Sequence, residues 1–598
     1  MSPLPSAHRR APGDLVADGS LTPGEPLALV VVGDHGVGLA SARGSWSAAG
    51  SPARLVADLE ERLHPRWVWW SAARAVRPLA AGGVLPPHLA RCHDLAAVHR
   101  ILHGGARDDP AVVWAAAVGL PEPATGRRPA AALHGTGLLD LDGGDDGPLD
   151  AQGQLSPAWA DGRALAEDLP AGQLLARAAE LAALALRAAG AQRDAVAALP
   201  ENRAQPVGAP LAVQTAQAES AAALLAVELE AVGLPLDRRT AEGIVGAAVG
   251  PRPRDAADEV RLRAARDAPV TAHLPTAGVD LRNPAQVLQA LHALGFDVPD
   301  TRAWRLERLA GAHPAVEALL HWRKAERLAT TYGYGWLDRH VAPDGRLRGA
   351  WSSADAAAGR MTAQAGLHNL PAELRPAVAA QDGHVLVRAD LGQVEPRVLA
   401  AVSRDPGLVA ATRDDDLYAP VAAALAADRP TAKVAVLAAM YGQTSGTAGE
   451  ALRRMEEAYP TALAYLRAAE SAGREGRDVR TYGGRLLRLA DAAASGPDAA
   501  FASRGRFARN AVVQGAAAEL FKAWAATVRA GLAHAGTGGR IVLCLHDELL
   551  LHVPRDGADA GVALLHTALA QTAHRWAAGS GVRFVAEVAV VQRWSEAK

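Results

Sequence analysis

The sequence has 598 residues, of which 49% are hydrophobic and 21% are charged, a size that predicts about three or four globular domains. The net charge is −2, so bulk charge gives no indication of nucleic-acid binding. Only two cysteines occur, Cys92 and Cys544, which excludes a disulfide framework and a cysteine-rich zinc site.

Targeting and membrane signals are lacking from the sequence. Residues 1–16 have no apolar core of the kind that a signal peptide contains. No apolar run reaches the length of about 18 residues that a membrane-spanning helix needs. We therefore expect a soluble protein of the reducing cytoplasm that has no membrane partner.

The amino-terminal third alternates short apolar runs with helical patterns. The runs LALVVV (27–32) and WVWW (67–70) are typical of buried strands, so this region predicts an α/β domain around a small sheet. Two stretches rich in turn-forming residues predict a loop at 140–157 and a linker at 198–210.

The remainder of the chain is helical in its apolar spacing from 211 to 340 and regains strand patterns further on. The strand-forming segments are HVLVRAD (384–390), RIVLCLHDELLLHVP (540–554) and VRFVAEVAVV (582–591). A long helical block separates the first two of these segments.

Acidic side chains lie where two of these strands end. HVLVRAD ends on Asp390, and the hairpin pattern of the next segment places His546, Asp547 and Glu548 at its turn. Carboxylates brought together in this way repel one another unless a divalent cation lies between them. Mg²⁺ prefers one or two carboxylates together with waters and substrate phosphates, as in a phosphoryl-transfer site. The HDE triplet by itself favours a simple surface turn.

The segment 428–446 predicts a helix with Asp428 as its N-cap, Pro430 in its first turn and Gly442 at its end. One stripe of this helix carries Arg429, Lys433, Leu437 and Tyr441 at intervals of four residues. Two cations near the start oppose the helix dipole unless an anion such as a triphosphate lies there. Lys433 could also donate a proton to a leaving pyrophosphate. The alternative is an amphipathic helix whose cations extend into water.

A second polar stripe, also spaced by four residues, consists of Arg506, Asn510 and Gln514 within GRFARNAVVQGAAAELFKAW. The rest of that helix is small and apolar, so these three side chains point together into polar surroundings. Hydrogen-bond donors of this kind could contact acceptors in the minor groove without reading the base sequence. A polar network buried within the protein is an equally good interpretation of the helix alone.

The order of these motifs resembles the polymerase region of family A DNA polymerases, such as the large fragment of bacterial DNA polymerase I. DLGQVEPR is similar to motif A (DYSQIELR), RPTAKVAVLAAMYG to motif B (RxxxKxxxFxxxYG) and CLHDELLLHV to motif C (VHDE). Further similar segments are VELEAVGLPLD (227–237), LRNPAQVLQALHALGF (281–296), WRKAERLATTY (322–332), GRMTAQAGLHNLP (359–371), TYGGRLLRL (481–489) and RFARNAVVQGAAAEL (506–520). The resemblance covers about residues 205–598.

This resemblance implies an α/β multidomain chain. An exonuclease-like (ribonuclease H-like) α/β domain would be followed by a right-hand polymerase with a thumb, a palm built on an antiparallel sheet, and helical fingers. The expected boundaries are 1–204 for the degenerate exonuclease-like domain and linker, 205–358 for the thumb and its base, 359–400 for the first part of the palm with motif A, 401–535 for the fingers and adjoining helices with motif B, and 536–598 for the second part of the palm with motif C.

The implied activity is template-directed addition of dNTPs to a primer 3′-hydroxyl, in replication gap filling or repair. Asp390 and Asp547, with the backbone carbonyl of Leu391, would hold two Mg²⁺ ions, for which Mn²⁺ is a substitute. Arg429 and Lys433 would grip the triphosphate, and Lys433 would act as the general acid.

Other side chains would bind the nucleotide and the DNA. Glu395 would be the steric gate that excludes a ribose 2′-hydroxyl, and Tyr441 would stack near the templating base. The implied dNTP-binding set is Arg429, Lys433, Leu437, Tyr441, Gln393 and Glu395. The implied DNA-binding set is Arg360, Asn369, Arg506, Asn510, Gln514 and His546. The expected partners are primer–template DNA and dNTPs, for a monomer that associates with the nucleoid when it is on DNA.

Several residues depart from the family's motifs. They are Leu391, Gly392 and Pro396 in motif A, Leu437 in place of the motif B aromatic residue, Tyr418 in place of a histidine that touches the triphosphate, and His368 in place of a glutamine. None of these side chains would be a metal ligand. We therefore expect catalysis to persist, at a lower rate or fidelity.

The amino-terminal domain lacks most of the carboxylates that the family's 3′-5′ exonuclease uses. Asp34 follows LALVVV, but a glycine stands where the partner glutamate belongs. Asp94 fits the middle aspartate, whereas AELAALALRAAG (179–190) supplies neither the tyrosine nor the last aspartate. We expect an inactive exonuclease-like fold, and primer removal by a separate 5′ nuclease because the sequence has no room for that domain.

Two other functions fit part of the same pattern. A degenerate protein that binds primer–template junctions without extending them would not need Asp390, Asp547, Arg429 and Lys433 to survive together. A single-subunit RNA polymerase shares the metal-binding aspartates and the motif B lysine, but Glu395 and the RFARNAVVQG segment argue against it. The DNA polymerase is therefore the preferred interpretation.

Overall fold

The computed structural model describes residues 8–9, 12–83, 88–124, 147–166, 169–442, 447–489 and 497–597. The chain divides into a first unit, formed by Met1–Val232, Ala350–Thr362 and Gly383–Val590, and a second unit, formed by Gly233–Gly349, Ala363–Asp382 and Val591–Lys598. Helices and sheets both occur, which confirms the predicted mixed α/β class.

The first unit begins with a six-stranded sheet. Its strands are β1 (His8–Arg9), β2 (Pro26–Val32), β3 (Gly36–Ser41), β4 (Gly44–Ala49), β5 (Arg66–Trp69) and β6 (Arg91–Asp94), in the order β1-β4-β3-β2-β5-β6. Strands β2, β3 and β4 are antiparallel neighbours, and β5 and β6 continue parallel to β2. The predicted runs LALVVV and WVWW thus form adjacent central strands, which are buried because helices cover the sheet.

Eight helices accompany this sheet in the described residues. They are α1 (Pro12–Ala17), α2 (Pro52–Leu63), α3 (Ala72–Ala75), α4 (Leu95–His103), α5 (Pro110–Val118), α6 (Pro157–Asp161), α7 (Ala171–Ala197) and α8 (Leu211–Val232). A Cβ atom on Gly38 of β3 would lie 2.2 Å from the carbonyl carbon of Ala178, so α7 packs directly on the sheet backbone. The small residues of α7 permit this approach. Of the predicted loop at 140–157, residues 140–146 lie outside the described residues.

The second unit is mainly helical. Its elements are β7 (Leu234–Pro235), α9 (Arg238–Val249), α10 (Ala256–Thr271), α11 (Pro284–Ala293), α12 (Ala303–Glu307), α13 (Pro314–Thr331), α14 (Tyr334–His340) and β8 (Arg346–Leu347). Val316, Leu319 and Trp322 of α13 are buried in its apolar core. Arg282 pairs with Asp267 and Glu326 at the side of that core, which ties α10 to α13.

The rest of the first unit contains a second large sheet, of four strands, together with two sheets of two strands each and a block of helices. The strands are β9 (Trp351–Asp355), β10 (Arg360–Ala363), β11 (His384–Leu391), β12 (Val479–Arg480), β13 (Leu486–Leu487), β14 (Arg540–Leu545), β15 (Glu548–Pro554) and β16 (Ala586–Val591). The helices are α15 (Val394–Ser403), α16 (Pro406–Ala411), α17 (Tyr418–Ala424), α18 (Arg429–Tyr441), α19 (Thr447–Ala458), α20 (Pro460–Arg474), α21 (Pro497–Ala535) and α22 (Ala558–Trp576).

The second sheet has the order β14-β15-β11-β16 and joins the three predicted strand segments. Strand β15 lies between β14 and β11 and is antiparallel to both. The prediction for 582–591 was wrong at its start, because the regular strand begins only at Ala586. In the described part of the chain, no helix combines the length and the apolar character that crossing a membrane requires.

A buried ion cluster holds α21 against α8. Lys522, which is fully buried, lies with Nζ 2.9 and 2.8 Å from the two carboxylate oxygens of Glu219. Glu219 also pairs with Arg485, which follows the turn between β12 and β13. Burial lowers the pKa of Lys522 to about 8. One of the four lysines of the sequence therefore serves to position the helix that carries the second polar stripe.

Candidate active site

Two acidic side chains meet where β11 ends and the hairpin of β14 and β15 turns. Asp390, next to last in β11, is paired in register with Glu548, the first residue of β15. The backbone N–H of Leu391 donates to the backbone carbonyl of Asp547, with 2.9 Å between nitrogen and oxygen. His546, in the turn, is exposed and has a positive φ of 55°. The structure therefore brings Asp390, Leu391 and Asp547 together.

Burial and repulsion act on both carboxyl groups. The pKa of Asp547 is raised to about 6, mainly because burial disfavours its charged form and also because Asp390 is near. The pKa of Asp390 is raised by burial first, while Arg388 opposes the rise and Glu548 adds to it. Carboxylates whose charge is disfavoured in this way gain from a bound cation, so the pair fits the divalent metals that the resemblance implies.

Arg388 is a member of this site that the motifs did not reveal. Its Nη2 lies 2.7 Å from Asp390 Oδ2, and its Nε lies 2.9 Å from Glu548 Oε1. The side chain is only 14% exposed, so these ion pairs are largely shielded from solvent. Alternation along a strand puts residues 388 and 390 on one face, which is the signal that could have found this arginine.

The chain turns sharply between β11 and α15. The residue with left-handed backbone geometry in this turn is Gln393, at φ 54°, and not the neighbouring Gly392. Gly392 allows a close approach, because a Cβ atom there would lie 3.1 Å from Val585 Cγ2. Pro396 lies in the first turn of α15, where its missing N–H costs little.

Glu395 lines a cleft beside the carboxylates. Arg360 forms an ion pair with Glu395, and the hydroxyl of Tyr441 donates to Glu395 Oε2 over 3.3 Å. A cavity of about 170 Å³ is lined by Arg360, Gln393, Glu395, Tyr418, His546 and Asp547, among others. Glu395 and Asp547 therefore both line this cavity.

Helix α18 presents the predicted stripe. Asp428 caps it by accepting from the N–H of Thr431, and Gly442 ends it with φ 68°. Arg429 and Lys433 are exposed near its start, whereas Leu437 and Tyr441 are half-buried further along. Arg429 pairs with Asp416 in the loop between α16 and α17. The stripe therefore runs from solvent towards Glu395.

Helix α21 brings its own polar stripe to the end of α18. Gln514 forms a hydrogen bond with the Tyr441 side chain, and Arg509 donates to the carbonyl of Ala439 at 2.6 Å. Asn510 is half-buried like Gln514, and Arg506 is exposed. Arg506, Asn510 and Gln514, three residues of the predicted DNA-binding set, thus lie on a helix that is anchored beside Tyr441.

Asn369 belongs to the second unit, whereas the other residues of the predicted DNA-binding set belong to the first. It ends a short helical turn, and its backbone carbonyl accepts from the Tyr332 hydroxyl at 2.7 Å and from Arg327 at 2.8 Å. Its side chain is exposed.

The carboxylates of the amino-terminal sheet have different surroundings. Asp34 is exposed in the turn after β2. Asp94 is fully buried and accepts from the N–H groups of Ala97 and Ala72 and from Trp69 Nε1, at 2.9, 2.6 and 3.0 Å. Burial raises the pKa of Asp94 to about 6. Asp94 therefore serves as the N-cap of α4 and links β6 to Trp69 of β5 and Ala72 of α3.

Known proteins resemble this chain in sequence over about half of its length. The family model of DNA polymerase family A matches residues 286–596, just over half of the chain. DNA polymerase I of Chloroflexus aurantiacus is 31% identical over 316 residues, which are 48% of this chain and 33% of that protein. The thermostable DNA polymerase I of Thermus filiformis is 31% identical over 322 residues, which are 49% of this chain and 38% of that protein. The chain spans about a third of the length of these relatives.

A solved structure resembles nearly all of the chain. It is the POL domain of Pol1 from M. smegmatis in complex with DNA primer-template and dNTP, with a TM-score of 0.68 and 21% identity, covering 99% of this chain and 100% of that one. The chain therefore shares the fold of that polymerase domain.

Proposed function

This chain belongs to DNA polymerase family A, and on that premise we propose that it is a template-directed DNA polymerase acting in replication gap filling or repair. The observation that carries the proposal is the meeting of Asp390 and Asp547 beside Glu395 and the stripe of α18. We assign the four-stranded sheet to a palm, α18 to fingers and residues 205–358 to a thumb and its base.

The carboxylates would be the centre of the reaction. Asp390 and Asp547, with the carbonyl of Leu391, would hold two divalent cations, which when bound activate the primer 3′-hydroxyl and neutralise the triphosphate. Arg429 and Lys433 are exposed on one face of α18, where they can bind a triphosphate, and Lys433 can protonate the leaving pyrophosphate. Arg360, Arg506, Asn510, Gln514 and His546, with Asn369, would contact primer and template.

The proposal is tested by extension of a labelled primer on a template with Mg²⁺ and the four dNTPs. We expect stepwise extension that follows the template. A non-catalytic junction-binding protein would bind the same DNA without extending it. Absence of extension with both Mg²⁺ and Mn²⁺ would overturn the proposed function.

Sugar selection is expected to depend on Glu395. Replacement by alanine in Glu395→Ala opens the space next to the nucleotide sugar, so we expect rNTP incorporation relative to dNTP to rise about tenfold or more. The ratio of kcat/KM for dNTP and rNTP measures this effect. Equal use of both substrates by the unaltered chain would instead favour a single-subunit RNA polymerase.

The amino-terminal sheet is proposed to lack 3′-5′ exonuclease activity. The hydrogen bonds of Asp94 support this proposal. Three N–H groups of the protein donate to its carboxylate oxygens, which are therefore already engaged within the fold. A 3′-labelled or 5′-labelled primer incubated with Mg²⁺ and no nucleotides should keep its length. Progressive shortening that Asp34→Ala abolishes would show that this domain is active.

A further inference from the structure

Asp416, in the loop before α17, forms an ion pair with Arg429 at the start of α18. Arg429 Nε lies 2.5 Å from Asp416 Oδ2, and Arg429 Nη2 lies 3.2 Å from Asp416 Oδ1. The guanidinium also lies over the ring of Tyr418, 5.7 Å from its centroid. One carboxylate thus engages two donors of the side chain that is proposed to bind the triphosphate.

The same carboxylate is anchored to the motif A segment. Gln393 Nε2 donates to Asp416 Oδ1 at 2.9 Å, and the N–H of Tyr418 donates to the same oxygen at 3.2 Å. Gln393 Oε1 in turn accepts from the N–H of Leu417 at 2.8 Å. Since Gln393 lies two residues before Glu395, a continuous set of contacts joins motif A, Asp416 and Arg429.

This ion pair is open to exchange. The side chains of Arg429 and Asp416 are 55% and 36% exposed, and solvent screens a pair at such a surface. A triphosphate carries more negative charge than one carboxylate and offers several acceptor oxygens to an arginine. It also meets repulsion from any carboxylate that stays beside that arginine.

We infer that Asp416 competes with the incoming triphosphate for Arg429 and thereby sets the affinity for dNTP. This inference rests on the proposed polymerase function. In the absence of nucleotide, Asp416 holds Arg429 and links α18 to Gln393. When dNTP binds, the guanidinium exchanges the carboxylate for phosphate oxygens, and the link between α18 and motif A opens.

The substitution that isolates this competition is Asp416→Asn. An amide at this position keeps an oxygen for Gln393 and Tyr418 and removes only the charge that opposes the triphosphate. The matched control is Asp415→Asn, which removes one charge from the adjacent residue, whose 82% exposed carboxylate pairs with Arg583 at 2.7 Å. Melting temperatures confirm that both variants fold.

The measurements are KM and kcat for dNTP in primer extension, and Kd for dNTP on a dideoxy-terminated primer. For Asp416→Asn we expect KM and Kd to fall about two- to fivefold, the range open to an exposed ion pair, with kcat within about twofold of the unaltered chain. Asp415→Asn should leave all three values unchanged. In an Arg429→Ala background, Asp416→Asn should have no effect on Kd, because the guanidinium for which Asp416 and the triphosphate compete is gone.

Three results would overturn the inference alone: an unchanged Kd in Asp416→Asn, a raised Kd, which would mean that Asp416 prepares Arg429 for the triphosphate, or an equal fall in both aspartate variants. If the unaltered chain does not extend primers, the proposed function itself fails, and the inference falls with it. The two failures are therefore distinguished by the unaltered chain.

Discussion

Asp547→Asn lowers the rate of primer extension by about a thousandfold or more, and Asp390→Asn has an effect of the same size. Each substitution removes a carboxylate that would hold a divalent cation. Charge stabilisation by such cations amounts to several kcal/mol, and each loss of about 1.4 kcal/mol slows a reaction tenfold. Single-turnover extension at saturating dNTP and Mg²⁺ measures the effect. A loss of less than tenfold for Asp547→Asn would contradict the metal-binding role.

The metal-free protein provides the control for folding, because Asp547→Asn should stabilise it. The pKa of Asp547 is about 6 in the folded chain, against an ordinary value of 3.8. As the pH rises above the ordinary pKa, the unfolded chain ionises Asp547 while the folded chain does not, so the free energy of unfolding falls until the pH passes the pKa of the folded chain. Asparagine cannot ionise, so the variant does not lose this free energy. In EDTA the variant should therefore gain on the order of 2 kcal/mol over the unaltered chain between pH 4 and pH 7.

Denaturant midpoints at several pH values measure this gain. A difference between the two proteins that stays constant from pH 4 to pH 7 would mean that Asp547 does not titrate in that interval. Loss of extension together with a stabilised fold separates a catalytic effect from damage to the structure.

Arg388→Met lowers the stability of the metal-free chain by about 2 kcal/mol and makes Mg²⁺ more stabilising. The substitution leaves the carboxylates of Asp390 and Glu548 without the cation that both now contact. Removing one partner of a buried ion pair costs about 3–5 kcal/mol, and partial exposure of Asp390 reduces that amount. A divalent cation can take over the neutralising charge, so Mg²⁺ should raise the melting temperature of the variant more than that of the unaltered chain.

The control for Arg388→Met is Arg474→Met. Arg474 is 58% exposed and pairs with Glu470 on the surface of α20, so its loss should change stability by less than about 0.5 kcal/mol in EDTA or Mg²⁺. Melting curves with EDTA and with increasing Mg²⁺ provide the measurement. Equal stabilisation by Mg²⁺ of Arg388→Met and of the unaltered chain would show that Arg388 does not share the site of the cation.

Local sequence patterns determined much of this site. Alternating apolar residues predicted β11, and two apolar runs on either side of Asp547 predicted the hairpin of β14 and β15. The N-cap Asp428, the four-residue stripe and the terminal Gly442 predicted α18. In each case the physical cause lies within about ten residues, in backbone conformation, capping or periodic burial. The family followed from the order of such motifs.

Only the tertiary structure decided which side chains share a site. Arg388 meets Glu548 because the register of β11 on β15 joins residues 160 positions apart, and no local pattern sets that register. Asp416 reaches Arg429 and Gln393 because the loop between α16 and α17 packs beside the starts of α15 and α18. Long-range pairing of this kind depends on how whole elements pack. The sequence by itself therefore determined the strands, the helices and the family, and packing decided which charges oppose, neutralise or compete with one another.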